Sequence, residues 1–315
     1  MPKDTEGQPE RGKGEQKPRD TLTLFREMDI LADRPAGGGR YIRASAEPEN
    51  TTDKRSRLPL MDTGLKISLI ANAGLLMTWN GTTLMVDGIY GQAGLPFSVP
   101  SPADWQDMLR GEGRFRKVDY LLFTHAHPDH FSPEMTGEFL RHRQVKGVFL
   151  PEPHTEAERL LMGELKERGV PYAELSGTGL GAAREIEPGI RIRAFRTLHL
   201  DRIYRDVPHY CCLLTFGDRQ ILLTADVDYT SETLSFVKDI PLDAAFVNPM
   251  FFTALCRGKF FKGTLPTRRM MVYHVPFPED DGLNMRPLLR RNLDLWPEPA
   301  CPVTVLGEPF QTVEL

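Results

Sequence analysis

The sequence predicts an α/β fold, and two observations carry that prediction. Between Val118 and Gly169 a short apolar run, an amphipathic helical segment, a second apolar run and a second amphipathic segment follow one another. That is the order expected when helices cover the face of a sheet. On either side lie paired short runs of two-residue periodicity joined by turn residues, at 65–86 and 185–224, which read as hairpins. A chain of 315 residues holds one large domain or two small ones with a sizeable core.

The first 63 residues stand apart. Residues 1–20 mix five basic and five acidic side chains with glycine and proline and almost nothing apolar. Such a segment cannot bury enough surface to offset its ordering entropy. Thr21 to Met28 reads as a short helix or docking segment, and residues 34–63 return to Gly, Pro, Arg and Asp. The triplet Gly37-Gly38-Gly39 has no strand–helix context, so it reads as linker rather than phosphate loop. The expectation is a largely disordered extension over 1–63 and a folded domain over 64–315.

From Gly64 the period becomes that of strands. Leu65 to Ala71, Gly74 to Trp79 and Thr83 to Val86 form three, with Asn80-Gly81 as the hairpin signal between the last two. Asp87-Gly88 ends the third. A proline-rich connection, Pro96 to Pro102, leads to a short helix over Ala103 to Leu109. Asn72, Tyr90 and Phe97 fall in the intervening loops.

Val118 to Phe123 is the next strand, and it runs into Thr124-His125-Ala126-His127-Pro128-Asp129-His130. Helix over Pro133 to Arg143, strand over Val145 to Leu150 and helix over Thr155 to Arg168 follow. His142 and His154 lack ligand-like spacing and are read as surface residues. Glu185 to Arg196 alternates Ile190, Ile192 and Ala194 with arginines, a half-solvated strand pair that delivers His199 into a loop. Tyr210 to Phe216 and Gln220 to Thr224 flank the hairpin turn Gly217-Asp218. Asp243 to Val247 leads into Asn248-Pro249, and Arg268 to Val275 presents His274 before Pro276. A helix over Asn284 to Leu295 and a last strand over Pro302 to Leu306 complete the chain.

The stretch 125–130 carries four metal-ligating side chains within six residues. Side chains alternate on an extended chain, so His125 and His127 project to one side. Pro128 suits the first turn of a helix, where Asp129 and His130 diverge. One tetrahedral ion does not collect all four, but two ions roughly 3.5–4 Å apart would. Burying three histidines and an aspartate at a strand end is costly unless something pairs them, and a divalent cation does so.

Composition limits the partners. Net charge is -4, with 40% hydrophobic and 26% charged residues, so no global basic field draws nucleic acid or anionic membrane. No run approaches the ~20 apolar residues of a membrane span, and no signal-type apolar core opens the chain. Cys211, Cys212, Cys256 and Cys301 show neither CxxC spacing nor a disulfide framework. A reduced, cytoplasmic setting is the expectation. Oligomeric state is not legible.

The arrangement resembles the metallo-β-lactamase superfamily, whose signature His-x-His-x-Asp-His at a strand end is matched in full by His125, His127, Asp129 and His130. The resemblance covers about four-fifths of the chain, from Gly64 onward, and includes the opening strands that end in Val86-Asp87-Gly88. It implies a four-layer αββα sandwich with a dinuclear site at one edge. It further implies His125, His127 and His199 on one ion, Asp129, His130 and His274 on the other, and Asp226 bridging. His209 competes with His199, and Asp228 is the fallback for Asp226. Ala225 stands where the family usually has glycine. Asp87 would steady the ligand loop, although an aspartate before glycine is equally a plain turn residue.

Nitrogen and oxygen donors without thiolate suit zinc and also accommodate Mn or Fe. His127 stands where iron-type flavoproteins of the superfamily tend to carry glutamate, which favours a zinc-type hydrolase. The implied chemistry is hydrolysis by a metal-bridging hydroxide attacking a small ester, lactone or related carbonyl or phosphoryl substrate. Asp129 would ligate and also act catalytically, orienting the nucleophile or passing a proton to the leaving group. A phosphodiesterase or nuclease of the same fold is the alternative, disfavoured by the absence of a basic excess or large insertion. A non-catalytic binding descendant is the other. Asn248 to Phe261 could shape an apolar pocket, although such aromatic runs more often belong to a core.

Overall fold

A computed structural model describes residues 64–91, 96–176, 181–230, 232–253, 256, 265–296 and 301–315. The extension expected over 1–63, with its helix at 21–28 and its glycine triplet, lies outside the described residues, as does most of 254–264.

Each half of the chain begins with antiparallel strands and continues with parallel ones. In the first, β1 (Lys66–Leu69), β2 (Leu75–Trp79) and β3 (Thr82–Val86) form a meander, and β4 (Tyr120–Leu122), β5 (Gly147–Leu150) and β6 (Tyr172–Glu174) add in parallel. In the second, β7 (Arg184–Glu187), β8 (Ile190–Thr197), β9 (His209–Phe216) and β10 (Arg219–Leu223) are antiparallel. β11 (Ala244–Val247), β12 (Met270–Val272) and β13 (Val303–Val305) then run parallel to β10. β14 (Thr312–Glu314) returns to the first sheet and pairs antiparallel with β1, so each sheet has seven strands. The β2–β3 turn has Asn80 and Gly81 both at positive φ, 46° and 75°, the conformation that Asn-Gly favours in a two-residue hairpin.

The helices start where the sequence caps them. α1 (Pro102–Arg110) has a reciprocal capping box between Ser101 and Asp104, and left-handed Gly111 ends it. α2 (Pro133–His142) and α3 (Glu156–Glu167) are capped by Ser132 and Thr155. α4 (Met285–Asp294) is entered through left-handed Asn284, whose side chain makes no cap. Asp281 substitutes, its two carboxylate oxygens accepting the N–H groups of Met285 and Arg286.

Adjacent residues on the central strands face different cores, as the two-residue period requires. Leu121, Phe139 and Leu161 pack between the first sheet and its helices. Leu122, Met77, Cys212, Leu214 and Phe246 fill the space between the sheets. Cys211, Leu222, Val247, Leu289 and Trp296 pack on the outer face of the second sheet. Three cores separate four layers, αββα. Phe251 and Phe252 lie against Trp296 in the last of these, so this part of the aromatic run is core. His142 and His154 are exposed.

Two strands were absent from the sequence reading, β6 and β14. Both are three-residue pieces at sheet margins, too short for a period of their own. Away from the site, the indole of Trp79 spans the seam between sheets. It meets two hairpin turns of the second sheet, where a Cβ added at Gly189 or Gly217 would approach it to 3.0 Å. Among the described residues no helix is long and apolar enough to cross a membrane.

Candidate dinuclear metal centre

Six strands bring polar residues to one edge of the sandwich. Asp87 follows β3, the histidine motif follows β4, His199 follows β8, Asp226 follows β10, Asn248 follows β11 and His274 follows β12. These are the carboxyl ends of strands running in one sense, the edge at which α/β sheets place ligands. β9 runs the opposite way, so its first residue, His209, sits at the same edge. Backbone bonds stitch the two sheets here: Tyr210 N–H donates to Thr124 O at 3.1 Å, and His274 N–H to Asn72 O at 2.9 Å.

The turns that deliver these residues are sharp. Asn72, Asp87, Ala225 and His274 all have positive φ, 37°, 44°, 46° and 60°. A left-handed non-glycine residue costs of order 1 kcal/mol or more, and such strain gathers where a side chain must be aimed. Ala225 bears a strain that glycine would not incur. Its N–H is held by the Tyr273 hydroxyl at 3.1 Å, its carbonyl by Asn248 Nδ2 at 3.0 Å.

Two groups of potential donors result. His125, His127, His199 and Asp226 form one, Asp129, His130, Asp226 and His274 the other, with donor atoms in each within 4.8 Å of one another. All seven residues are buried. The shared atom is Asp226 Oδ2, which lies 3.3 Å from His130 Nε2, 3.5 Å from His274 Nε2, 3.7 Å from His199 Nε2 and 3.9 Å from His125 Nε2. His274 Nε2 is also 3.2 Å from Asp129 Oδ2 and 3.1 Å from His130 Nε2. Ligands held about 2.0–2.1 Å from a tetrahedral ion are roughly 3.4 Å apart, so these spacings suit donors arranged around cations.

The protons support the fit. Thr124 spends its hydroxyl hydrogen on Asp87 Oδ2 at 2.6 Å, so its oxygen accepts from His125 Nδ1–H at 3.0 Å. His125 Nε2 is therefore a bare lone pair. It has no hydrogen-bond partner, and neither have His127 Nε2 and His199 Nε2, although all three are fully enclosed. His199 differs: its Nδ1 accepts the Asp201 N–H at 3.0 Å, which places the ring proton on the enclosed Nε2, and only its transfer to Nδ1, 3.4 Å from Asp201 O, frees that lone pair for a cation. Three unpartnered buried nitrogens on one side of a carboxylate are costly; a cation is the group that satisfies them together. His130 Nδ1 donates to Asp87 Oδ2 at 2.9 Å, leaving its Nε2 directed at the carboxylates. Asp87 thus holds Thr124 and His130 at once, more than a plain turn aspartate does.

The two groups differ in charge. Burial, reinforced by His130, His127 and His209, keeps His125 well below the ordinary imidazole range, and burial with His199 pushes His127 down to about 3. On the other side burial again opposes charge, but Asp226 and Asp129 outweigh it and raise His274 to about 9. Asp129 and Asp226 lift His130 in the same way. Burial would raise both carboxyls, yet His130 and His274 hold Asp129 below its usual value and Asp226 well below.

The competing assignments separate cleanly. His209 lies behind the cluster, its Nδ1 2.6 Å from Thr197 Oγ1 and its Nε2 accepting the Asp226 N–H at 3.0 Å. Asp228 is occupied by Arg205 at 2.6 Å and by the Thr230 N–H and hydroxyl. Neither belongs to a donor group. Tyr204 and Phe97, both half-buried, lie at the solvent boundary. Tyr204 stands edge-on to His127 at 4.1 Å between centroids, and Phe97 edge-on to His274 at 5.0 Å. Tyr90 is fully buried, its hydroxyl donating to Ala71 O at 2.7 Å, so it supports the loop rather than the mouth. Sequence reasoning missed Asn248 and Tyr204. The one available signal for Asn248 was its place at the carboxyl end of a parallel strand.

No family model and no curated protein matches this sequence. Solved structures match its fold. Igni18, a metallo hydrolase from the hyperthermophilic archaeon Ignicoccus hospitalis, aligns over 80% of this chain and 99% of its own at 16% identity and TM-score 0.53. YhfI from Bacillus subtilis, a metallo-β-lactamase fold protein, aligns over 80% and 100% at 14% identity and TM-score 0.52. CmlA, a diiron β-hydroxylase from Streptomyces venezuelae, aligns over 80% of this chain at 21% identity and TM-score 0.51, but over 54% of its own length. Two mixed sheets between helical layers, with a histidine–aspartate cluster at their carboxyl edge, are the metallo-β-lactamase fold.

Proposed function

We propose that the chain is a dinuclear metal-dependent hydrolase acting on a small ester, lactone or related carbonyl or phosphoryl substrate. One observation carries the reading: three enclosed, unpartnered imidazole nitrogens, His125, His127 and His199 Nε2, stand beside a second donor group that shares Asp226 Oδ2 with them. A binding module has no physical need for both.

His125, His127 and His199 would hold one ion and Asp129, His130 and His274 the other, with Asp226 common to both. Bound there, the ions supply a water acidified to near neutrality and positive charge for a developing oxyanion. Asp87 and Thr124 fix the tautomers that aim His130 and His125 inward. Asp129 would orient the attacking water and return a proton to the leaving group. The rings of Tyr204 and Phe97, edge-on to His127 and His274, would flank a bound substrate. Zinc suits the all-N/O donor set, as Mn and Fe also do. Net charge of -4 favours a small molecule over a nucleic acid.

Elemental analysis of the purified full-length chain tests the metal, and turnover of lactones, p-nitrophenyl esters, thioesters and phosphodiesters tests the reaction. The reading expects two zinc ions per chain and chelator-sensitive hydrolysis of at least one carbonyl or phosphoryl class. Two ions without turnover on any class would identify a binding descendant instead. Iron in place of zinc would move the reading towards the oxidative chemistry for which CmlA is named.

A further inference from the structure

We infer that His209 and Asn248 form a two-handed clamp that sets Asp226 as a single-oxygen bridge, so that both metal sites depend together on a histidine that ligates neither. The inference rests on the dinuclear reading above and deepens it.

Backbone N–H groups can only donate, and this fixes the protons of both clamp residues. The Asp226 N–H donates to His209 Nε2 at 3.0 Å, so that nitrogen carries the lone pair. An imidazole whose Nε2 carries the lone pair has its ring proton on Nδ1, here directed at Thr197 Oγ1 at 2.6 Å. On the other side, the Met250 N–H donates to Asn248 Oδ1 at 3.0 Å. The Asn248 amide nitrogen consequently faces the site, giving one hydrogen to Ala225 O at 3.0 Å and one to Asp226 Oδ1 at 3.1 Å. Asn248 is positioned in turn by its own N–H, which donates to the Tyr229 hydroxyl at 3.0 Å.

The result is a division of labour within one carboxylate. Oδ1 accepts from Asn248, the backbone is pinned by His209, and Oδ2 is the oxygen that lies within 4 Å of His125, His130, His199 and His274. A carboxylate free to rotate would offer Oδ1 to one ion and Oδ2 to the other, or both to one. Held this way it would present Oδ2 to the cations that the two donor groups would hold. His209 is thus a positioning residue for both sites, and its place on the antiparallel β9, entering the edge that other strands leave, is what brings it behind Asp226.

Two measurements on the full-length protein test the clamp. The first follows zinc titration by competition with a chromogenic chelator, together with bound zinc after dialysis, for the wild type, His209→Leu, His209→Gln and His127→Ala. In His209→Leu both affinities fall together by tenfold or more. His209→Gln, whose amide oxygen accepts the same N–H, stays within about threefold of the wild type. His127→Ala loses one site and keeps most of the other. If His209→Leu is folded by near-ultraviolet circular dichroism yet binds two ions with unchanged affinity, or loses one site only, the clamp is wrong while the dinuclear reading stands. A wild type that binds no stoichiometric metal overturns both. The second measurement needs no variant: long-range proton–nitrogen correlation of the histidine rings reads the His209 tautomer. A proton on Nδ1 supports the clamp, and a proton on Nε2 overturns it even should His209→Leu fail to fold.

Discussion

The two donor groups meet at one oxygen but are built on opposite electrostatic plans. Around His125, His127 and His199 the protein assembles imidazoles whose enclosed Nε2 atoms have no hydrogen-bond partner, and burial holds His125 and His127 neutral. Around Asp129, His130 and His274 it assembles two carboxylates and two imidazoles raised towards the charged form, which answer one another, with Asp87 holding the far side of His130. The first group is unsatisfied until a cation arrives; the second is already compensated. A preformed site therefore need not be strained throughout, and the cost of keeping it open is concentrated in the three-histidine half.

Removing the shared residue gives the largest expected effect. Asp226→Ala should lose both ions and reduce any hydrolysis by at least about 10³-fold. In metal-free protein it also strips His130 and His274 of a buried partner, lowering stability on the order of 3 kcal/mol. His127→Ala should abolish turnover to a similar degree but lose only one ion. Its metal-free stability should stay within about 1 kcal/mol of the wild type, because the deleted nitrogen was unpaired. Chemical denaturation of both chelated variants checks the contrast, and equal destabilisation would erase the distinction between the halves.

The wall behind the three-histidine group is uncharged as well, and alkaline pH sharpens that point. Burial pushes the Cys211 thiol up to about 12 and Cys212 well above its ordinary value of 9.0. The folded state holds these protons more tightly than the unfolded chain does. Their contribution is thus complete below about pH 9 and is lost as pH climbs towards 12. Denaturation midpoints should fall across that window, and a thiol reagent at pH 8 should leave Cys211 and Cys212 unmodified in the native protein. The smallest effect is expected at Ala225, whose side chain touches neither donor group's chemistry. Ala225→Gly relieves a left-handed residue and should raise stability by about 1 kcal/mol or less, seen as a small rise in melting temperature, with metal stoichiometry unchanged.

Legibility in the sequence followed the same divide between contiguous and assembled features. The motif at 125–130 was readable because four donors follow one strand and alternation fixes their directions. His199, Asp226 and His274 were singled out through a family pattern, since spacing alone does not say that the carboxyl ends of β8, β10 and β12 converge. The roles of His209 and Asn248 were invisible, because His209 acts through the backbone N–H of a residue 17 positions away and Asn248 through the carboxylate of the same residue, 22 positions away. Strand periods revealed the long members of both sheets. β6 and β14 owe their conformation to the neighbour they pair with, as the register of Ile67 against Val313 shows, and no local signal marks them.

Trp79 lies at the end of β2, across the sandwich from the histidines, with its ring against Phe216 and the turns at Gly189 and Gly217. With Trp105 and Trp296, the other two tryptophans, replaced by phenylalanine, its fluorescence would gauge whether the two sheets remain together. Because the chelatable chemistry is at the far edge, a change in that emission separates loss of the scaffold from loss of its cargo.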